Sequence, residues 1–206
     1  MASPPIPSDP TNSTRSTTNI SASDAVLHIG SSAFIDASLG EVWRSLIDTS
    51  TWPSWNTFCP RVTIREQPGS DTSSHVLQNG TKMTFHVHMD PSTEGEREVQ
   101  LCVTEFDSPD SSSDKPGRIM WAGDLTAKGS LWPSVLTAER VHELREVDVE
   151  VEGGRKKRMT EVRNWECQVG YLVYVVRWMY KAQLQSNFET WVGDLKRFVE
   201  GKKESG

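Results

Sequence analysis

Apolar residues along the chain follow two different periods, and the change from one to the other separates a sheet-forming stretch from a terminal helix. The β-prone run AVLHIGSSAFI, residues 25–35, reads as a first strand. Ser38 and Glu41 then stand in S-x-x-E capping-box spacing, and Leu39, Val42, Trp43, Leu46 and Ile47 recur with helical period up to Asp48. The next ten residues, TWPSWNTFCP, are punctuated by Pro53 and Pro60 and predict a short helix or loop. Six further strands are expected over residues 62–66, 81–89, 97–106, 117–125, 135–147 and 157–168. Their separators are hairpin-like, among them the polar stretch 108–117 and the Glu152-Gly153-Gly154 turn ahead of the basic run RKKR. From about residue 172 to 200 the period becomes 3.6, with Val176, Met179, Tyr180, Leu184, Phe188, Trp191, Leu195 and Phe198 on one side. Arg177, Lys181, Glu189, Lys196 and Arg197 occupy the other side, which reads as solvated surface rather than a membrane-binding stripe. No internal repeat interrupts this order.

Strand, helix, short helix, six strands and long helix make an α+β arrangement, in which an antiparallel sheet of about seven strands buries one face against the last helix. Large sheets of this kind curl. A curled sheet closed by one helix leaves a space between them, and such apolar pockets are where small ligands usually sit.

Composition narrows the function classes. The chain of 206 residues is 35% hydrophobic and carries a formal charge of −6, so it has no general attraction for nucleic acid or anionic lipid. No stretch approaches the ~18 uninterrupted apolar residues of a spanning helix, so no stable membrane insertion is expected. Cys59, Cys102 and Cys167 are odd in number and widely separated, indicating neither a disulfide framework nor a zinc site. Three reduced thiols suit a cytoplasmic protein. Residues 1–24 are rich in Ser, Thr and Pro, lack the apolar core of a secretory signal, and read as a disordered tail. A lone Arg15 set against Asp9 and Asp24 gives poor support to a transit peptide. The expected organisation is that tail, one ligand-binding domain over residues 25–201 and a short tail over 202–206. Phosphate-binding glycine loops and G-x-S-x-G are absent. The unusual feature is eight tryptophans against three tyrosines and six phenylalanines, which concentrates apolar material in large flat side chains.

Glu41-Val42-Trp43, Asp48, Trp52 and Trp55-Asn56-x-Phe58-x-Pro60 resemble the first helix, and the turn after it, of the SRPBCC or START-like superfamily with its helix-grip fold, within it the polyketide cyclase/dehydrase and coenzyme-Q-binding START-type branch. GRIMWAG at 117–123 is similar to its strand ending W-x-G, and AERVHELREVD at 138–148 to its next strand. Thr160, Glu166 and Gly170 fall where the family has a T…E…G strand leading into the final helix, which Asn187-Phe188-Glu189 and Leu195-Lys196 resemble. The chain departs from the pattern at Thr57 and Cys59 around Phe58, and at Arg140 and His142. The resemblance implies a curved antiparallel sheet wrapped around a long C-terminal helix, with two short helices after the first strand. It also implies an internal cavity for a hydrophobic small molecule, needing no cofactor.

Strand parity selects the side chains that reach such a cavity. Met83, Phe85 and Val87 share the inward face of one strand, leaving His86 and His88 outside and exposed, without a third ligand for a metal. In the strand after Val135, the set Ala138, Arg140, His142 and Leu144 matches the family's inward positions, and Thr160, Val162, Asn164, Glu166 and Gln168 form the corresponding set in the next strand. The catalytic candidates are therefore His142 for proton transfer, Arg140 to hold an enolate or carboxylate, and Glu166 as a buried acid or base. A surface ladder, or a merely structural Arg140–Glu166 ion pair, is the competing reading. Ligand contacts are expected from Trp55, Asn56, Phe58, Met83, Phe85, Val87, Trp121, Asn164, Tyr180, Leu184, Phe188 and Trp191. The implied function is to enclose a polyketide-like substrate and promote a cofactor-free cyclisation, dehydration or related step. The alternatives are a carrier of a lipid, quinone or other apolar metabolite, and a cochaperone-like interaction module.

Overall fold

Ser38 caps the first helix as its spacing predicts, accepting from the Glu41 amide while the Glu41 carboxylate reaches back to the Ser38 amide. The computed structural model describes residues 6–12, 15–69, 71–89, 95–110, 115–130 and 132–204. Its elements are β1 (Leu27–Ile35), α1 (Leu39–Ile47), a 3-10 turn (Thr49–Ser54), β2 (Arg61–Glu66), β3 (Lys82–His88), β4 (Glu96–Asp107), β5 (Gly117–Gly123), β6 (Thr137–Val151), β7 (Arg155–Val169) and α2 (Tyr171–Glu204). All seven strands form one sheet in the order β1-β7-β6-β5-β4-β3-β2, and every neighbouring pair is antiparallel. The first strand thus closes against the last, and the sheet curls around α2 in a helix-grip fold.

β6 and β7 form a longer hairpin than the hydrophobic alternation marks, because their outer ends are polar and pair through charged side chains. Gly153 and Gly154, both at positive φ, make its turn. Gly170, at φ 116°, joins β7 to α2 where a Cβ would lie 2.5 Å from the Val135 carbonyl oxygen, so only glycine fits. α2 is held to β1 by Ser31 Oγ donating to the Phe188 carbonyl and Lys196 Nζ donating to the Phe34 carbonyl, both 2.6 Å. Its second half supplies Phe188, Trp191, Val192, Leu195 and Val199 to the core, whereas most large side chains of its first turns are exposed.

That exposure corrects one expectation. Met179 and Tyr180, on the apolar side of the helical period, face outward instead of into the core. Helical phase is read correctly along Leu184, Phe188, Trp191 and Leu195, but in the first turns β1 covers only the side that carries Val173, and Met179 and Tyr180 stay exposed. The C-terminal residues follow suit: α2 continues to Glu204, so the tail expected from 202 is helical as far as it is described.

The N-terminal segment also differs from the expected disordered tail. Residues 6–12 and 15–24 lie as a strap across the convex face of the sheet. Ile20 is buried with Met120, Val141, Trp165 and Cys167, which point outward from the middle strands. Thr17 Oγ1 and Asn19 Nδ2 both donate to the buried Glu139 carboxylate at 2.6 Å, and Ser8 donates to Glu161. The physical reason is the sheet itself: an apolar patch on its outer face needs cover, and a polar segment supplies it through hydrogen bonds to buried carboxylates. Residues 1–5, 13–14, 111–114 and 205–206, which fall within the two expected tails and the long polar turn, lie outside the described residues.

Candidate functional site

The inward faces of β3 to β7 and the middle of α2 enclose a cavity of about 200 Å³. Phe85 and Val87 from β3, Trp121 from β5 and Leu184 from α2 line it, with Phe58 from the turn after α1. Arg140 and Glu166 are on its wall, directly opposite one another in the β6–β7 register. Val99 and Leu101 of β4 complete the wall, as do Met89, Leu136, Ala138 and Gln168. None of these six is among the ligand contacts expected from sequence, although Ala138 and Gln168 stand in the inward rows read from sequence beside Arg140 and Glu166.

Within this apolar wall, Arg140 Nε donates to Glu166 Oε2 at 2.9 Å, and each side chain is only 10% exposed. The other carboxylate oxygen, Oε1, accepts from Gln168 Nε2. Because a carboxylate can only accept, the Gln168 amide must turn its nitrogen toward Glu166. Its Oε1 is then left buried without a hydrogen-bond partner among the described residues. The Arg140 guanidinium carbon lies 4.0 Å from the Phe188 ring centroid and 5.8 Å from that of Phe58, a cation–π setting that holds the charge at the wall.

His142 lies deeper. It is fully buried, its ring 4.5 Å from Trp121 and 5.3 Å from Trp191 between centroids, and it does not line the cavity. Burial, with the Arg140 charge as a lesser cause, pushes its imidazole well below the ordinary value, so it is neutral at pH 7. Neither ring nitrogen has a partner among the described residues, and the same holds for both amide atoms of Asn164, the residue opposite it, and for Trp191 Nε1.

The other candidates divide between core and surface. Trp191 is the hub of an aromatic cluster with Trp52 at 4.8 Å, Trp55 at 5.8 Å and Trp121 at 6.2 Å. Trp55 and Met83 are core residues there, and Phe188 packs under Arg140. Asn56 Oδ1 accepts from the Cys59 amide at 2.8 Å and shapes the turn. Tyr180 borders an outer cleft with Met89, Met179 and Gln183 rather than the cavity. His86 faces outward as parity requires, yet it is buried under Arg61 and Thr63, whose side chains contact its Nε2 at 3.0 and 2.9 Å. The Cys59 thiol, pushed up to about 12 by burial, is no nucleophile. Among the described residues no group of His, Cys, Asp and Glu is placed to hold a metal ion. No helix is long and apolar enough to cross a membrane.

The site is therefore an apolar chamber carrying one cation, one carboxylate and one carboxamide on a single wall. Such a wall orients the polar end of an otherwise apolar molecule and stabilises negative charge developing on it.

No family model matches the chain. It is 45% identical over 192 residues to the oxopyrrolidines biosynthesis cluster protein O of Penicillium oxalicum, with 91% of this chain and 94% of that protein covered. The chain belongs to the same family as this Penicillium protein. Its fold recurs in a hypothetical protein of Helicobacter pylori, with a TM-score of 0.61, 15% identity, and 85% of this chain and 89% of that one covered. A protein of Thermus thermophilus gives a TM-score of 0.53 at 13% identity, covering 85% of this chain and 99% of that one. These two likenesses concern the fold alone.

Proposed function

We propose that the chain encloses an apolar secondary-metabolite intermediate with a polar ring at one end and promotes a cofactor-free cyclisation, dehydration or related step on it, as in the polyketide cyclase/dehydrase branch. The observation that carries this reading is the Arg140–Glu166 pair on the wall of an otherwise apolar cavity. A desolvated guanidinium lowers the energy of an enolate, and a carboxylate beside it receives or returns the proton. The relative's name supports an oxopyrrolidine type of substrate. Such a ring is a lactam. Its carbonyl suits Arg140 as donor, and its N–H suits the unpartnered Gln168 oxygen.

The test is to incubate the purified full chain with an extract of its source organism, then follow by liquid chromatography and mass spectrometry what is bound and what is converted. An apolar lactam should be enriched and converted. Arg140→Met should slow conversion by about 10²-fold while retaining enrichment, and Glu166→Gln should slow it as well. Unchanged conversion in both variants overturns the assignment of the site. Ligand bound by the unaltered chain but released unchanged favours a carrier instead, a reading that the engagement of both Glu166 oxygens supports.

A further inference from the structure

Except for Ile6 and Val76, every exposed large apolar side chain among the described residues belongs to α2's first turns, to the β5–β6 connection or to β4. On α2, Trp178 is 85% exposed and Tyr171 80%, with Tyr174, Val175 and Met179 also in solvent. At 3.6 residues per turn these five share one side, and the opposite side carries Val173, buried with Leu27 and Ile29 of β1. The β5–β6 connection adds Trp132, 78% exposed, and Leu125. It is bonded to the start of α2 through the Tyr171 and Leu172 amides, which donate to the Ser134 and Val135 carbonyls. Both segments flank the cavity: Leu136 and Val99 belong to its wall and also to the surface cleft beside Leu125, and Met89 belongs to its wall and to the cleft beside Met179 and Tyr180.

Charge selects the occupant. The chain as a whole carries −6, and Glu96, Glu98 and Asp124 border the two clefts, but the segments 125–136 and 171–188 themselves contain Lys128, Arg177 and Lys181 and no carboxylate. Arg177 Nη1 donates to the Val26 carbonyl at 3.2 Å, at the seam between helix and sheet, so this cation flanks the aromatic side. Tryptophan and tyrosine bordered by lysine and arginine suit the headgroup region of a bilayer, where amphipathic rings sit and anionic lipids attract cations. A second copy apposed through these two segments alone would set Lys181 and Arg177 against segments without a carboxylate, and like charges would oppose the pairing.

We propose that the exposed first turns of α2 and the described residues of the β5–β6 connection, 125–130 and 132–136, form a peripheral docking surface for an anionic phospholipid bilayer, lying beside the cavity wall. The helix rests on the interface without spanning it, its aromatic stripe covering about 12 Å of helix length. An apolar molecule then passes between bilayer and cavity with little exposure to water. The proposal goes beyond the cavity chemistry and stands on other residues, so either can fail without the other.

The experiment is co-sedimentation of the full chain with vesicles of phosphatidylcholine alone and of phosphatidylcholine mixed with phosphatidylserine. Binding should be confined to the mixed vesicles, weaken as salt rises, and fall about tenfold in the double variant Trp178→Ser, Tyr174→Ser and about fivefold in Lys181→Glu. The two aromatic side chains are exposed, so the melting temperature of the double variant should match the unaltered chain. Absence of binding to the mixed vesicles at low salt overturns the proposal, as does binding that the double variant leaves unchanged. A concentration-dependent dimer that the double variant dissolves also overturns it, assigning the face to a second copy.

Discussion

His142 shows how one inward residue differs from its neighbour two positions away. Arg140 and His142 share a strand face, yet Arg140 reaches the cavity while His142 is closed between Trp121 and Trp191. Parity names the face, but depth along the strand depends on where the bulky rings of β5 and α2 fall, and those contacts are long-range. A neutral buried imidazole has a consequence for stability. Its folded-state value lies below the ordinary 6.5, so the unfolded chain binds the proton more readily than the folded one. The stabilising effect is whole above about pH 6.5 and is lost as pH falls below it, by up to about 1.4 kcal/mol per pH unit. Urea denaturation of the unaltered chain between neutral pH and pH 5 should show this slope, and His142→Leu should flatten it. His28, also depressed through burial, contributes a residual slope that His142→Leu leaves in place. Equal slopes in the two proteins would show that His142 is not the group responsible.

At the scale of elements, period and capping chemistry made α1, the strand succession and the second half of α2 legible, because each is set by neighbours in sequence. The strap was not legible. Residues 15–24 offer one buried apolar side chain, Ile20, and their order comes from Glu139, as that of Ser8 comes from Glu161, each more than a hundred positions away. Composition alone cannot register partners at that separation. The first turns of α2 were misread for the same kind of reason: a hydrophobic stripe gives a helix its phase, not the length over which another surface meets it. The strap's role is measurable. Ile20→Ala should lower stability by about 2 kcal/mol or more in chemical denaturation. Deleting residues 1–24 should cost more, since it also leaves the buried Glu139 carboxylate without Thr17 and Asn19. An unchanged denaturation midpoint in both would mean that the strap contributes nothing to the folded domain.

The whole molecule is a curled sheet whose two faces do different work. The convex face is sealed by the strap, and the concave face grips the second half of α2, leaving a chamber where α2 and the middle strands diverge. The tryptophan excess divides accordingly: Trp43, Trp52, Trp55 and Trp191 pack the inner core, Trp165 lies under the strap, Trp121 lines the chamber, and Trp132 and Trp178 stand in solvent. The fold class and the inward rows, which bring Arg140 and Glu166 to one face, could be read from sequence because a β-strand's two-residue repeat and the family resemblance agree on those rows. The chamber's outer wall of Val99, Leu101 and Leu136 could not, since it depends on how far the sheet curls. The central claim is that this chamber holds the polar end of an apolar ligand, and Ala138, on its wall beside Arg140, offers the means to block it. The direct measurement is native mass spectrometry of the full chain with an alkyl-substituted 2-pyrrolidinone, comparing the unaltered protein with Ala138→Trp. A single bound ligand in the unaltered chain, lost in the filled variant while its fold is kept, is the expected result. Equal binding by both proteins, or none by the unaltered chain, would contradict it.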